Sequence, residues 1–190
     1  MSTIQTKFIT SAEFLRMEDL GSCELVRGEI VFMNPPGWRH GNRATKIIGL
    51  LDRYLEQHDV GRLSALDAGI VTGHDPDTVR GADICFHSYV RLPDDLDPHD
   101  YPEIAPEIVW EVLSPTDRWK NVAEKVEEYL QAGVLVVCVV DPVRECCVTY
   151  ATGQPERRHV LGEVWSAGEI LPGFELPLEL LFRKGRRPTL

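Results

Sequence analysis

At 190 residues the chain has the length of one ordinary domain, and its 43% hydrophobic and 26% charged content is globular rather than disordered. A net charge of −10 argues against nonspecific coating of nucleic acid. The longest apolar run, the nine residues Ala132–Val140, falls well short of the about 20 that a membrane-spanning helix needs. Five cysteines and no export signal at the N-terminus predict free thiols in a reducing cytoplasm. The charge is uneven: Asp94 to Glu111 carries seven acids and no Lys or Arg, whereas residues 1–60 are nearly balanced.

In chain order, Ser11 is placed to cap a short helix carrying Phe14, Leu15 and Leu20. Residues Glu24–Met33 read as two strands turning at Arg27-Gly28, and Asn34-Pro35-Pro36-Gly37 breaks the chain. Ile47, Ile48, Leu51, Tyr54 and Leu55 recur at helical spacing, which predicts an amphipathic helix over Trp38–His58. Strands are expected over Gly61–Thr72 and Gly81–His87, with a turn at His74–Asp77. Arg91–Pro106 holds four prolines and five acids, so it is a loop. Ile108–Leu113 follows as a buried strand. Ser114-Pro115-Thr116-Asp117 has the residue order of a helix start, and Gly133 suits a left-handed terminator after Ala132. Val134–Val140 is β-branched and apolar, as in a central strand covered on both faces. Short strands continue to Phe182. The chain thus predicts a mixed α/β sheet flanked by helices, one domain over residues 1–182, and a basic, mobile tail over 183–190.

Two carboxylates interrupt otherwise apolar strands: Asp83 in Ala82-Asp83-Ile84-Cys85-Phe86, and Glu111 in Val109-Trp110-Glu111-Val112. A buried carboxylate costs several kcal/mol unless paired, protonated or metal-bound. Two in neighbouring strands invite a joint explanation. On the next helix Asn121, Lys125 and Tyr129 share one stripe at i, i+4 and i+8, and Lys125 borders the packed face, within reach of the strand bearing Glu111.

Gly81-Ala82-Asp83, Trp110-Glu111-Val112-Leu113-Ser114-Pro115 and Lys125 together resemble the PD-(D/E)XK nuclease superfamily and, more narrowly, its Uma family of restriction endonucleases. The resemblance runs from about Ser11 to Phe182. It includes Glu24-Leu25-Val26-Arg27-Gly28-Glu29-Ile30, the Pro35…His40 step, Val140-Asp141-Pro142 and Leu171-Pro172-Gly173-Phe174. Ala82 stands where the family usually has proline, and Asn121 where it usually has aspartate. Val137 and Cys138 replace an acidic and aromatic pair, and Leu113 occupies the superfamily's lysine position, a role the family moves to Lys125.

The resemblance implies a restriction-endonuclease-like fold, an α-β-β-β-α-β core with added N- and C-terminal strands. It also implies a Mg²⁺- or Mn²⁺-dependent endodeoxyribonuclease acting on duplex DNA, expected as a homodimer. Asp83 and Glu111 would hold the metal through oxygen, Lys125 would stabilise developing charge, and His40 would face the site. The alternative is a nuclease fold kept as a noncatalytic dimeric binding or regulatory module.

Asp83, Cys85 and His87 alternate along one strand and would be needed for a zinc centre, but three ligands on one strand do not close a tetrahedral site. Cys85 and His87 are therefore read as packing residues. Glu24 and Glu29 read as hairpin charges, with the resemblance keeping Glu29 open. Arg39, Arg43 and Lys46 are candidates for a phosphate-contacting groove, with affinity falling at a log–log salt slope of about −0.9 per phosphate on duplex DNA. No dinucleotide fingerprint, Walker loop or nucleophile elbow is present.

Overall fold

The computed structural model describes residues 8–183; apart from Arg183, the basic tail expected at the C-terminus lies outside the described residues. Helix α1 (Ser11–Leu15) is capped by Thr10, not Ser11. Thr10 and Glu13 form a reciprocal capping box, and the Ser11 N–H instead donates to Asp77 at 2.7 Å. Strands β1 (Cys23–Val26) and β2 (Glu29–Phe32) form the expected hairpin. Its turn residues Arg27 and Gly28 both sit in the left-handed region, at φ 51° and 77°, as a two-residue turn between twisted strands requires.

Helix α2 (Trp38–Leu55) leads into the long hairpin β3 (Gly61–Gly73) and β4 (Thr78–Ser88). After the proline-rich loop come β5 (Ile108–Val112), α3 (Trp119–Gln131) and β6 (Val136–Asp141). Helix α3 starts later than the sequence predicts. The Ser114 N–H donates to Asp117 Oδ2 (2.7 Å) and the Asp117 N–H to Ser114 O (3.0 Å), so these residues close a turn before the helix. The terminator is as expected: Gly133 has φ 101° and the Val134 N–H returns to Tyr129 O at 3.0 Å. That bond also delays β6 to Val136. Strands β7 (Cys146–Ala151), β8 (Arg157–Val160), β9 (Val164–Trp165) and β10 (Leu176–Pro177) and helix α4 (Leu178–Phe182) complete the described chain.

The main sheet runs β2-β1-β4-β5-β6-β7-β8, with β3 also paired to β4. Only β5 and β6 are parallel, joined through α3; the other pairs are antiparallel. Alternation splits the core into two layers. Ile108, Trp110, Cys138 and Val140 pack with Ile47 and Leu51 of α2 and with Leu178 and Leu181 of α4. Val109, Val137 and Val139 pack with Val126 and Tyr129 of α3. The mixed, helix-flanked sheet matches the sequence reading.

Candidate active site

On the edge of β4 away from β3, β1 covers one end through the single pair Leu25–Val79, and β5 covers the other from Ile84 to Phe86. Between these contacts the sheet forks, and buried backbone groups there still need partners. Side chains supply them. Glu24 Oε1 accepts the Gly81 N–H at 3.0 Å, Lys125 Nζ donates to Gly81 O at 2.8 Å, and Asp83 Oδ2 accepts the Val112 N–H at 2.7 Å. Across β4, strand β3 bulges: Leu66 and Asp67, at φ 64° and 61°, fall between the pairs Ala65–Ile84 and Ala68–Ala82. A bulge re-aims nearby side chains, and Ala82 and Cys85 accordingly join the same core layer, which strict alternation would not allow.

The fork gathers the predicted residues as two pairs, His40 on Asp83 and Lys125 on Glu111, with the carboxylates near enough for the Asp83 charge to act on Glu111. His40, in the first turn of α2, bonds Asp83 Oδ2 through Nε2 at 2.9 Å. Glu111 turns to the α3 side, where Tyr129 donates to its Oε1 at 2.8 Å and Lys125 Nζ lies 3.1 Å from Oε1 and 3.2 Å from Oε2. The i, i+4 stripe thus places Lys125 and Tyr129 on one carboxylate. Asn121, the third member of the stripe, is exposed.

Glu24 is the functional candidate the sequence reading passed over as a hairpin charge. It is 5% exposed, and its Oε1 also lies 3.0 Å from Lys125 Nζ. Arg80 Nη1 donates to Glu24 Oε2 at 2.9 Å, and the rest of the Arg80 guanidinium forks onto Glu128 at 2.5 and 2.9 Å. Lys125 therefore sits between two buried carboxylates, one of them fixed from behind by Arg80. Glu29, by contrast, is exposed on β2.

The electrostatics follow from this crowding. Burial pushes the Glu111 carboxyl up to about 7; Lys125 opposes the rise, and the charge of Asp83 adds to it. Burial works against the Lys125 ammonium, but Glu111 and Glu24 hold its pKa above the ordinary lysine value. Burial would likewise raise Glu24, yet Lys125 and Arg80 keep it below the usual carboxylate range. The hydrogen bond to Asp83 lifts His40 above its ordinary value against the opposing effect of burial.

Among the described residues, no three His, Cys, Asp or Glu side chains are grouped to hold a metal by themselves. Cys85 and His87 have other partners: Cys85 contacts Ser64 and His87 bonds Ile104 O. Two carboxylates suit a hard cation. Mg²⁺ and Mn²⁺ prefer hard oxygen donors, and Mg²⁺ is held by one or two carboxylates with waters completing the shell. Asp83 takes the His40 and Val112 bonds on Oδ2, and burial disfavours the charge of Glu111 even beside Lys125, so a further cation would favour its ionised form. The donor set fits such an ion.

The basic-groove expectation needs correction at two positions. Arg43 is buried, and its guanidinium bonds Asn42 and Phe182 O. Lys46 donates to Leu181 O and Arg183 O. Both tie down the C-terminus of α4, so of the three only Arg39 is exposed.

The Uma2 family model, described as a putative restriction endonuclease, matches residues 11–179. A crystal structure described as that of a putative nuclease belonging to DUF820, from Anabaena variabilis ATCC 29413, is similar in fold. It has a TM-score of 0.79 and 19% sequence identity, covering 92% of this chain and 97% of that chain. No curated protein matches the chain.

Proposed function

The chain belongs to the Uma2 family of putative restriction endonucleases, and from that premise we propose that it is a divalent-cation-dependent endonuclease hydrolysing DNA phosphodiester bonds. The observation that carries the reading is the fork itself, where Asp83 and Glu111 come from adjacent strands with the ammonium of Lys125 against Glu111. Asp83 and Glu111 would hold Mg²⁺ or Mn²⁺. When bound, the ion supplies Lewis-acid polarisation of the phosphate and a more acidic water.

The chain's own groups do the rest. Lys125 has three donors, now spent on Gly81 O, Glu111 and Glu24. It trades one of them for a phosphate oxygen and stabilises the charge that develops there. Glu24, locked by Arg80, keeps the ammonium in place during that exchange. His40 orients Asp83 through Oδ2. A homodimer, as the resemblance implies, would bring one such centre to each DNA strand. In the described residues no helix is long and apolar enough to cross a membrane.

One observation favours a noncatalytic binding module instead: both Glu111 oxygens already have partners in Lys125 and Tyr129. Plasmid nicking separates the two readings. Nicking is expected with Mg²⁺ or Mn²⁺, none in EDTA, and none for Asp83→Asn; a wild-type protein inert with both ions would favour the module. The pH dependence has a sign. Because the Glu111 carboxyl holds its proton up to about 7, a cation must displace that proton below this pH. At subsaturating metal the nicking rate should rise about tenfold per pH unit toward neutrality and level off above it. A rate independent of pH between about 6 and 8 would remove Glu111 from the metal site.

A further inference from the structure

A groove of about 980 Å³ runs beside α2, between that helix, α4 and the turn after β6. Five of its lining residues are Arg or Lys and one, Glu145, is acidic, in a chain whose net charge is −10. Arg43 and Lys46 form its wall and bond neutral oxygens, Asn42 Oδ1 and Phe182 O for Arg43 and Leu181 O and Arg183 O for Lys46. Neither has an ion pair among the described residues, and Glu145 is the one acid acting on Arg43. Burial lowers the Lys46 pKa, and the neighbouring cations Arg43 and Arg183 lower it further. Arg39 and Arg53 are exposed and have no ion-pair partner among the described residues. Like charges crowded in this way in an acidic protein call for a polyanion.

The groove is also apolar. Trp38 is 78% exposed, and Val143 and Leu180 line the same space and are exposed too. A duplex offers a protein phosphates on its outside and keeps its base faces stacked within. A single strand offers phosphates and base faces together, and a cationic groove with an aromatic platform matches that pairing. The position agrees: Trp38 and Arg39 line the groove at the N-terminal end of α2, and the next residue, His40, bonds Asp83.

We propose that this groove holds an unpaired nucleic-acid strand leading away from the Asp83–Glu111 centre, with Arg39, Arg53 and Arg183 on its phosphates and Trp38 stacked on a base. The proposal rests on the nuclease reading only for where the scissile phosphate lies. It narrows the duplex expectation, because the segment in the groove is unpaired.

Fluorescence anisotropy in EDTA tests it without cleavage, using a labelled oligothymidine strand and a duplex of the same length. The single strand should bind more tightly. Arg39→Ala/Arg53→Ala should flatten its log–log salt slope by about 1.4, for two phosphates at about 0.7 each. Trp38→Ala should weaken single-strand binding by roughly 5- to 150-fold, the range for losing one stacked base, with little effect on the duplex. Arg157→Ala/Arg158→Ala on β8, which removes the same charge outside the groove's lining, should leave the slope unchanged. Equal or tighter duplex binding, an unchanged slope in the groove variant, or an equal loss in the β8 control would overturn the proposal. So would binding to phosphatidylserine vesicles without binding to the oligonucleotide. Strand binding through the groove with no nicking under Mn²⁺ would keep this inference and remove the nuclease reading. Nicking with groove variants that bind like wild type would do the reverse.

Discussion

Lys125→Ala is expected to slow DNA nicking by about 10²–10⁴-fold, the range for losing one charge-stabilising or proton-handling group. The same variant should bind Mn²⁺ as well as the wild type or better. An ammonium is no metal ligand, and its removal leaves Glu24, Glu111 and Asp83 with less positive charge among them. The opposite changes in rate and affinity are what distinguish a catalytic cation from a structural one. Lys125 also stabilises the fold, since it lies 3.0 Å from Glu24 and 3.1 Å from Glu111 with its side chain only 17% exposed. The comparison therefore belongs at a temperature where circular dichroism shows the variant folded, and at a pH well above 7, because removing Lys125 takes away the charge that opposes the rise of the Glu111 carboxyl to about 7. Lys125→Ala protein that is folded and fully active would mean the catalytic cation is another residue.

Arg80→Ala should be the most destabilising single change at the fork, by about 3–5 kcal/mol. Its guanidinium is shared by Glu24 and Glu128, and the three side chains are between 6% and 18% exposed. Removing it leaves two largely buried carboxylates with one fewer cation, and uncompensated buried charge is the costly outcome. In a chain of this length such a loss corresponds to a fall in Tm of roughly 6–20 °C. Arg27→Ala provides the contrast. Arg27 and Glu124 also pair, at 3.1 Å, but are 72% and 42% exposed, so the loss there should stay below about 1 kcal/mol. Urea denaturation of the two variants measures both. Equal, small losses would mean that the fork does not depend on its buried guanidinium.

Much of the site was legible because it breaks local rules. An acid within Ile108–Val112 and another within Ala82–Phe86 are conspicuous in strands that are otherwise apolar, and Lys125 and Tyr129 fall one turn apart on a helix that follows at once. Glu24 broke no such rule. It sits in a four-residue strand next to a turn, where a charge is ordinary, and its burial arises only because β1 and β5 diverge along β4 and leave the Gly81 N–H to be satisfied. Arg80 was hidden for the same reason.

The basic residues of α2 show the converse limit. Arg43 and Lys46 have the spacing of a solvent-facing cationic stripe, and nothing local says that the carbonyls at the end of α4, well over a hundred residues later in the chain, will take their donors. The late start of α3 is a smaller case. Ser-Pro-Thr-Asp opens helices and closes turns with the same side-chain bonds, and here Asp117 spends its carboxylate on the Ser114 N–H.

The central claim is that Asp83 and Glu111 share one cation, and the most direct test is Mn²⁺ binding followed by electron paramagnetic resonance above pH about 7, where Glu111 is ionised. Wild-type protein should take up one ion per chain and quench the signal of the free ion. Asp83→Asn and Glu111→Gln should each abolish that uptake, while Cys85→Ala, which alters a thiol committed to Ser64, should leave it intact. Undiminished Mn²⁺ uptake by the two carboxylate variants, or none by the wild type at millimolar metal, would contradict the account.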